Sequence, residues 1–117
     1  MTELSGASIL IVGATGGLGR EIASVLAAKG ARLTLTSRHQ HLLDSLGVPG
    51  VGVVGDVTEA GVLERFVSTA VSSHGRLDGV IYAAGVVAFG SAAEVTDETL
   101  DTLWAVNTKA PMALLRV

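Results

Sequence analysis

The chain has 117 residues, room for one domain and no more. Hydrophobic residues make up 49% and charged residues 16%, which excludes a disordered tail and supports a real core. The 8 Lys+Arg against 11 Asp+Glu form no basic block, and with one Trp and one Tyr no nucleic-acid surface is expected.

Short apolar runs alternate with helical patterns. Ser8 to Val12 is apolar on both faces, as a central parallel strand should be. A helix follows with the stripe Leu18, Ile22, Val25 and Leu26, stopping at Lys29-Gly30. The second strand is read over Ala31 to Thr36, a short weak helix over His39 to Leu46, and the third strand over Val51 to Val54. Val62, Leu63, Phe66, Val67, Ala70 and Val71 make a helical face closed by His74-Gly75. The fourth strand is Gly79 to Ala83. A last helix opens at Thr96, a good N-cap, with Asp97 and Glu98 near the positive end of its dipole, and carries the stripe Leu100, Leu103, Trp104, Asn107 and Leu114. Strand and helix alternating four times predicts an α/β fold of the Rossmann type, a doubly wound parallel sheet with strand order 3-2-1-4, in a single domain over 1–117.

The absence of cysteine excludes disulfides, thiol catalysis and Cys-based zinc sites, and no metal site is read elsewhere. His39, His41 and His74 are scattered beside turns and read as surface residues. No basic leader precedes Ile9, and the uncharged stretch between Asp78 and Glu94 is broken by glycines and too short for a bilayer, so a cytoplasmic protein without membrane contact is expected. The final residues remain in helical register without a stop, and the fourth strand would be an apolar edge. Both signs predict a truncated chain, or one whose edge a partner completes; a homo-oligomer is expected.

The chemistry-bearing segment follows the first strand. Gly13, Thr15, Gly16, Gly17, Leu18 and Gly19 form a glycine-rich loop running into a helix. Gly13 allows the tight turn, Gly17 lets the backbone approach a pyrophosphate, and Gly19 allows close helix packing, while the helix N-terminus offers N–H groups to phosphate. Asn107 stands on its own account: an amide on an apolar stripe needs partners. Pro111 has no N–H to bond the Asn107 carbonyl, so a kink is predicted there, with that carbonyl free.

Gly13, Gly17 and Gly19 fit G-x-x-x-G-x-G, and Gly13, Gly16 and Gly19 fit G-x-x-G-x-x-G. At this loop the chain resembles the short-chain dehydrogenase/reductase family, in its classical branch by the first spacing and its extended and atypical branches by the second. Gly55-Asp56-Val57-Thr58 resembles the family's Asp-hydrophobic motif, which implies adenine binding by Asp56 and Val57; a helix cap is the other reading of Asp56. Ala83, Ala84 and Gly85 resemble its Asn-Asn-Ala-Gly element beside the cofactor ribose, with Tyr82 and Ala83 in place of the asparagines. Asn107 matches the family's structural-catalytic Asn, whose carbonyl helps hold a relay water. The resemblance spans the chain and implies hydride transfer between a nicotinamide and an alcohol or carbonyl substrate. The family's catalytic Ser and Tyr-x-x-x-Lys have no counterpart in these residues, because Tyr82 is followed four residues later by Val86. The chain alone is therefore expected to be inactive.

Ser37 and Arg38 follow the second strand where an NAD-binding unit usually presents an acidic residue. A hydroxyl and a guanidinium suit a 2′-phosphate, so NADP(H) is expected over NAD(H). Two other readings stay open: a nucleotide-sensing Rossmann module without chemistry, and a binder of nucleotide sugars or bases on a similar fold.

Overall fold

The computed structural model describes residues 3–117. β1 (Ser8–Val12) is buried at all five positions and sits inside the sheet. β2 (Arg32–Ser37), β3 (Val51–Val54) and β4 (Gly79–Tyr82) join it in the order β3-β2-β1-β4. Every pairing is parallel: Ile9 lies opposite Leu33 on one side and Gly79 on the other, and Thr34 opposite Val51. The predicted strand order is the one found.

Alternate residues of β1 serve opposite faces, which gives the sheet two cores. Ile9 and Ile11, with Leu33 and Leu35, pack against α1 (Gly17–Ala28) and the segment around α2 (Gln40–Asp44). Leu10 and Val12 pack against Val62, Leu63 and Phe66 of α3 (Val62–His74), and against Leu114 near the C-terminus. Phe66 and Leu10 are fully buried. Among the described residues no helix is long and apolar enough to cross a membrane.

Three helical expectations need correction. The α1 stripe is displaced: Gly19 and Ala23 are buried, with Ile22 and Leu26 packed beside them, while Leu18 and Val25 are exposed. The helix lies so close to the sheet that its smallest residues face inward. On α3, Val71 likewise lies outside the core while Val62, Leu63, Phe66 and Ala70 are buried.

The last predicted helix is three elements. α4 (Asp97–Trp104) begins as expected, with Thr96 Oγ1 accepting from the Thr99 N–H at 3.1 Å. A π turn over Ala105–Lys109 follows, and α5 (Ala110–Leu114) carries Pro111 in its first turn. The π turn lies where the kink was predicted and rotates the stripe: Trp104, Leu100 and Asn107 are exposed, whereas Val106, Ala110 and Leu114 are buried. A short 3₁₀ turn, Ala92–Glu94, was not expected.

His74 also departs from the reading as a surface residue. It is half-buried, and its Nε2 lies 3.1 Å from the Leu33 carbonyl oxygen on β2.

Candidate functional site

Parallel strands bring the loops after β1, β2, β3 and β4 to one edge of the sheet. β1 is the point from which the chain winds outward in both directions, and a crevice opens there as the topology demands. The resulting cavity has a volume of about 260 Å³. It brings together Gly13, Thr15 and Gly16 from the first loop, Ser37 and Arg38 after β2, Asp56 and Val57 after β3, and Ala83, Ala84 and Gly85 after β4. Gly17, Leu18, Gly19 and Asn107 do not line it.

The glycines of the first loop divide by cause. Gly13 has φ +85°, and a Cβ there would stand 2.6 Å from the Ala84 backbone nitrogen. The turn requires the left-handed conformation, and the approach of the β4 loop requires the missing side chain. A Cβ on Gly19 would overlap the Gly13 carbonyl oxygen, so this glycine seats α1 against the loop that feeds it. Gly17 is different. Nothing lies within 4 Å of a Cβ placed there, so packing does not demand a glycine. The first α1 amide returned into the helix is that of Arg20, which donates to the Gly16 carbonyl at 3.0 Å. The amides of Gly17, Leu18 and Gly19 precede it and have no intrahelical acceptor.

The loop is held to β2 by hydroxyls. The Gly13 N–H donates to Thr36 Oγ1 at 3.2 Å, and Thr15 Oγ1 lies 2.8 Å from Ser37 Oγ. Ser37 Oγ also accepts from the His39 N–H at 3.2 Å. Ser37 is buried and tied into this network, while Arg38 is exposed.

Asp56 Oδ1 accepts from the Thr58 hydroxyl at 2.7 Å and the Thr58 N–H at 2.9 Å. The hydroxyl bond, then the backbone bond, with help from the Arg38 charge, hold its carboxyl below the usual aspartate range against a smaller opposing effect of burial. Asp56 closes its own turn and does not cap α3, whose N-cap is Gly61.

Outside the cavity lining, the Asn107 side chain is engaged at both its amide oxygen and its amide nitrogen. Its Oδ1 accepts from the Val86 N–H at 3.0 Å, and its Nδ2 donates to the Val86 carbonyl at 2.8 Å. The amide thus finds the partners it needs, although the residue is exposed and off the core stripe. Tyr82 donates its hydroxyl to the Val106 carbonyl at 2.5 Å. Burial, and then the charge of Asp56, push its phenol up to about 12.

Four lining residues escaped the sequence reading, His39, Leu42, Val86 and Val106, and Gly55 entered it only as the start of the Asp56 motif. A Cβ at Gly55 would press within 2.6 Å of Arg65 Nη2. Val86 and Val106 are ordinary apolar residues that tertiary packing alone brings to the cavity.

Comparison with known proteins agrees with this arrangement. The family model described as short chain dehydrogenase matches residues 7–117. An oxidoreductase of Thermotoga maritima is 32% identical over 96% of this chain and 47% of its own length. Human dehydrogenase/reductase SDR family member 4 is 36% identical over 92% of this chain and 41% of its own. A metagenomic short-chain oxidoreductase solved in complex with NADP superposes with a TM-score of 0.86 at 33% identity, covering 98% of this chain and 56% of that one. The chain thus spans about half the length of these relatives. A family match over nearly every residue, on a sheet wound in the same order, means that the chain belongs to the short-chain dehydrogenase/reductase family of oxidoreductases.

Proposed function

We propose that these residues form the NADP(H)-binding portion of a short-chain dehydrogenase/reductase that transfers hydride between the nicotinamide and an alcohol or carbonyl substrate. The observation that carries this reading is the open space at Gly17, outside an α1 N-terminus whose first amides lack helical acceptors. That opening leaves the backbone free for a pyrophosphate to approach the first amides of α1. Gly13, Thr15, Gly16 and the amides of Gly17, Leu18 and Gly19 would hold it. Asp56 and Val57 would take the adenine, with Asp56 Oδ2 left for the ligand because Oδ1 is used by Thr58. Ala83, Ala84 and Gly85 would pass along the nicotinamide-side ribose.

When bound, the cofactor would donate hydride to a carbonyl or accept it from an alcohol; the chain's own residues bind it and orient it. Arg38 is the discriminating group. It is exposed at the mouth and no acidic residue lies between Ala31 and His41 to receive the ribose hydroxyls. The buried Ser37 hydroxyl mainly secures the loop, so the 2′-phosphate is left chiefly to the guanidinium. Asn107 acts by position in this reading. Both ends of its amide are spent on Val86, so any part in a proton relay falls to its backbone.

Titration with NADPH and NADH, by calorimetry or nicotinamide fluorescence, tests the proposal. Arg38→Ala is expected to weaken NADPH by about one to two decades and leave NADH nearly unchanged. Equal losses for both cofactors would remove Arg38 from the 2′-phosphate site.

A further inference from the structure

The π turn leaves one backbone acceptor in an unusual position. The Ala110 N–H is given to the Ala105 carbonyl, five residues back. In that register the Val106 carbonyl would be served by residue 111, and residue 111 is a proline without an N–H. Val106 is buried, so water is a poor substitute. The Tyr82 hydroxyl stands there instead, at 2.5 Å. A carbonyl only accepts, so the phenol must donate, and the direction of the bond is fixed. With its pKa pushed up to about 12, the phenol keeps that proton across ordinary working conditions. The freed carbonyl that the sequence suggested at Asn107 is thus matched, one residue earlier, by a specific donor on β4.

The next residue after Val106 is Asn107, which grips Val86 through both backbone groups. Val106 and Val86 both line the cavity, together with Gly85. We propose that Tyr82 is a positioning residue: by holding the Val106 carbonyl it fixes the π turn, and through Asn107 it sets Val86 as the wall of the cavity against which the nicotinamide half of the cofactor is placed. The nicotinamide assignment rests on the function proposed above; the mechanical link from Tyr82 to Val86 does not.

Two measurements on the full chain separate those parts. In Tyr82→Phe, hydrogen exchange at the Val86 amide is expected to accelerate at least about tenfold, with Ile11 in β1 keeping its protection as evidence that the fold is intact. Adding Pro111→Ala supplies an N–H for the Val106 carbonyl and is expected to restore Val86 protection to within about threefold of wild type. Unchanged Val86 exchange in the single variant, or no recovery in the double variant, would overturn the link. For the cofactor, Tyr82→Phe is expected to weaken NADPH about three- to tenfold while 2′,5′-ADP, which lacks the nicotinamide half, binds as before. Equal weakening of the two ligands would overturn the positioning role. Failure of the wild type to bind either ligand would overturn the nucleotide reading and the nicotinamide placement with it, and leave the Tyr82 link to be decided by exchange alone.

Discussion

At the scale of single residues, charge in the cavity is set by short-range bonds more than by distant charge. Asp56 takes both its hydrogen bonds from one neighbour, Thr58, and these favour the carboxylate. Thr58→Val removes the stronger, hydroxyl bond and keeps the backbone one, so the Asp56 pKa is expected to rise toward the ordinary aspartate range. The sign of the linkage follows. A carboxylate depressed in the folded state contributes stability above its unfolded pKa and loses it as pH falls through the folded pKa. In Thr58→Val that contribution should be smaller and its loss complete at a higher pH, and nucleotide binding should fail earlier on acidification. Carboxyl-carbon NMR of Asp56 reads this directly, and an unmoved titration would place the control elsewhere. The Asp56 motif was legible in the sequence, but its partner was not. Thr58 is an unremarkable residue until the turn brings its hydroxyl onto Oδ1.

Among the elements, the loop from β1 into α1 contains glycines with opposite reasons for being glycine. A Cβ at Gly17 meets no protein atom, so in Gly17→Val the fold should survive while the branched side chain occupies the space proposed for the pyrophosphate. Gly19→Ala drives a methyl into the Gly13 carbonyl oxygen and should destabilise the fold along with binding. Circular dichroism melts together with NADPH titration distinguish the two. A stable Gly17→Val chain that binds NADPH normally would take the phosphate away from this loop. The alternation of strands and helices was readable because each strand is a short apolar run and two of the helices stop at a glycine, Gly30 and Gly75. The inward face of α1 was misread because apolar size pointed to Leu18 and Val25, whereas close packing selects Gly19 and Ala23. The π turn was half-legible. Pro111 announced a missing bond, but the one-residue shift to Val106 depends on Tyr82, which is 24 residues away in sequence.

For the whole molecule, strand order could be read because right-handed crossovers leave few arrangements of four parallel strands. What surrounds the sheet could not. β4 lies at the end of the sheet with β1 as its neighbour, and Val80 on it is 41% exposed. Trp104 and Met112, on the helical segment that follows, are exposed at 59% and 63%. An open strand edge and exposed apolar side chains favour association. The 117-residue chain is expected to self-associate, giving a light-scattering mass at least about twice the monomer and a blue-shifted emission from Trp104 on concentration. A monomer with concentration-independent emission would refute this. The same topology sets an order of events during synthesis. β1 is made first, yet its second neighbour, β4, pairs Gly79 with Ile9, and the Ser8 N–H waits for a carboxylate of Asp78, 70 residues downstream. At translation speeds of about 5–20 residues per second, roughly 4–14 seconds pass before that flank can be covered. Through that interval the most apolar strand of the protein is a one-sided template, and its safety rests on how quickly β2 and α1 close over the other side.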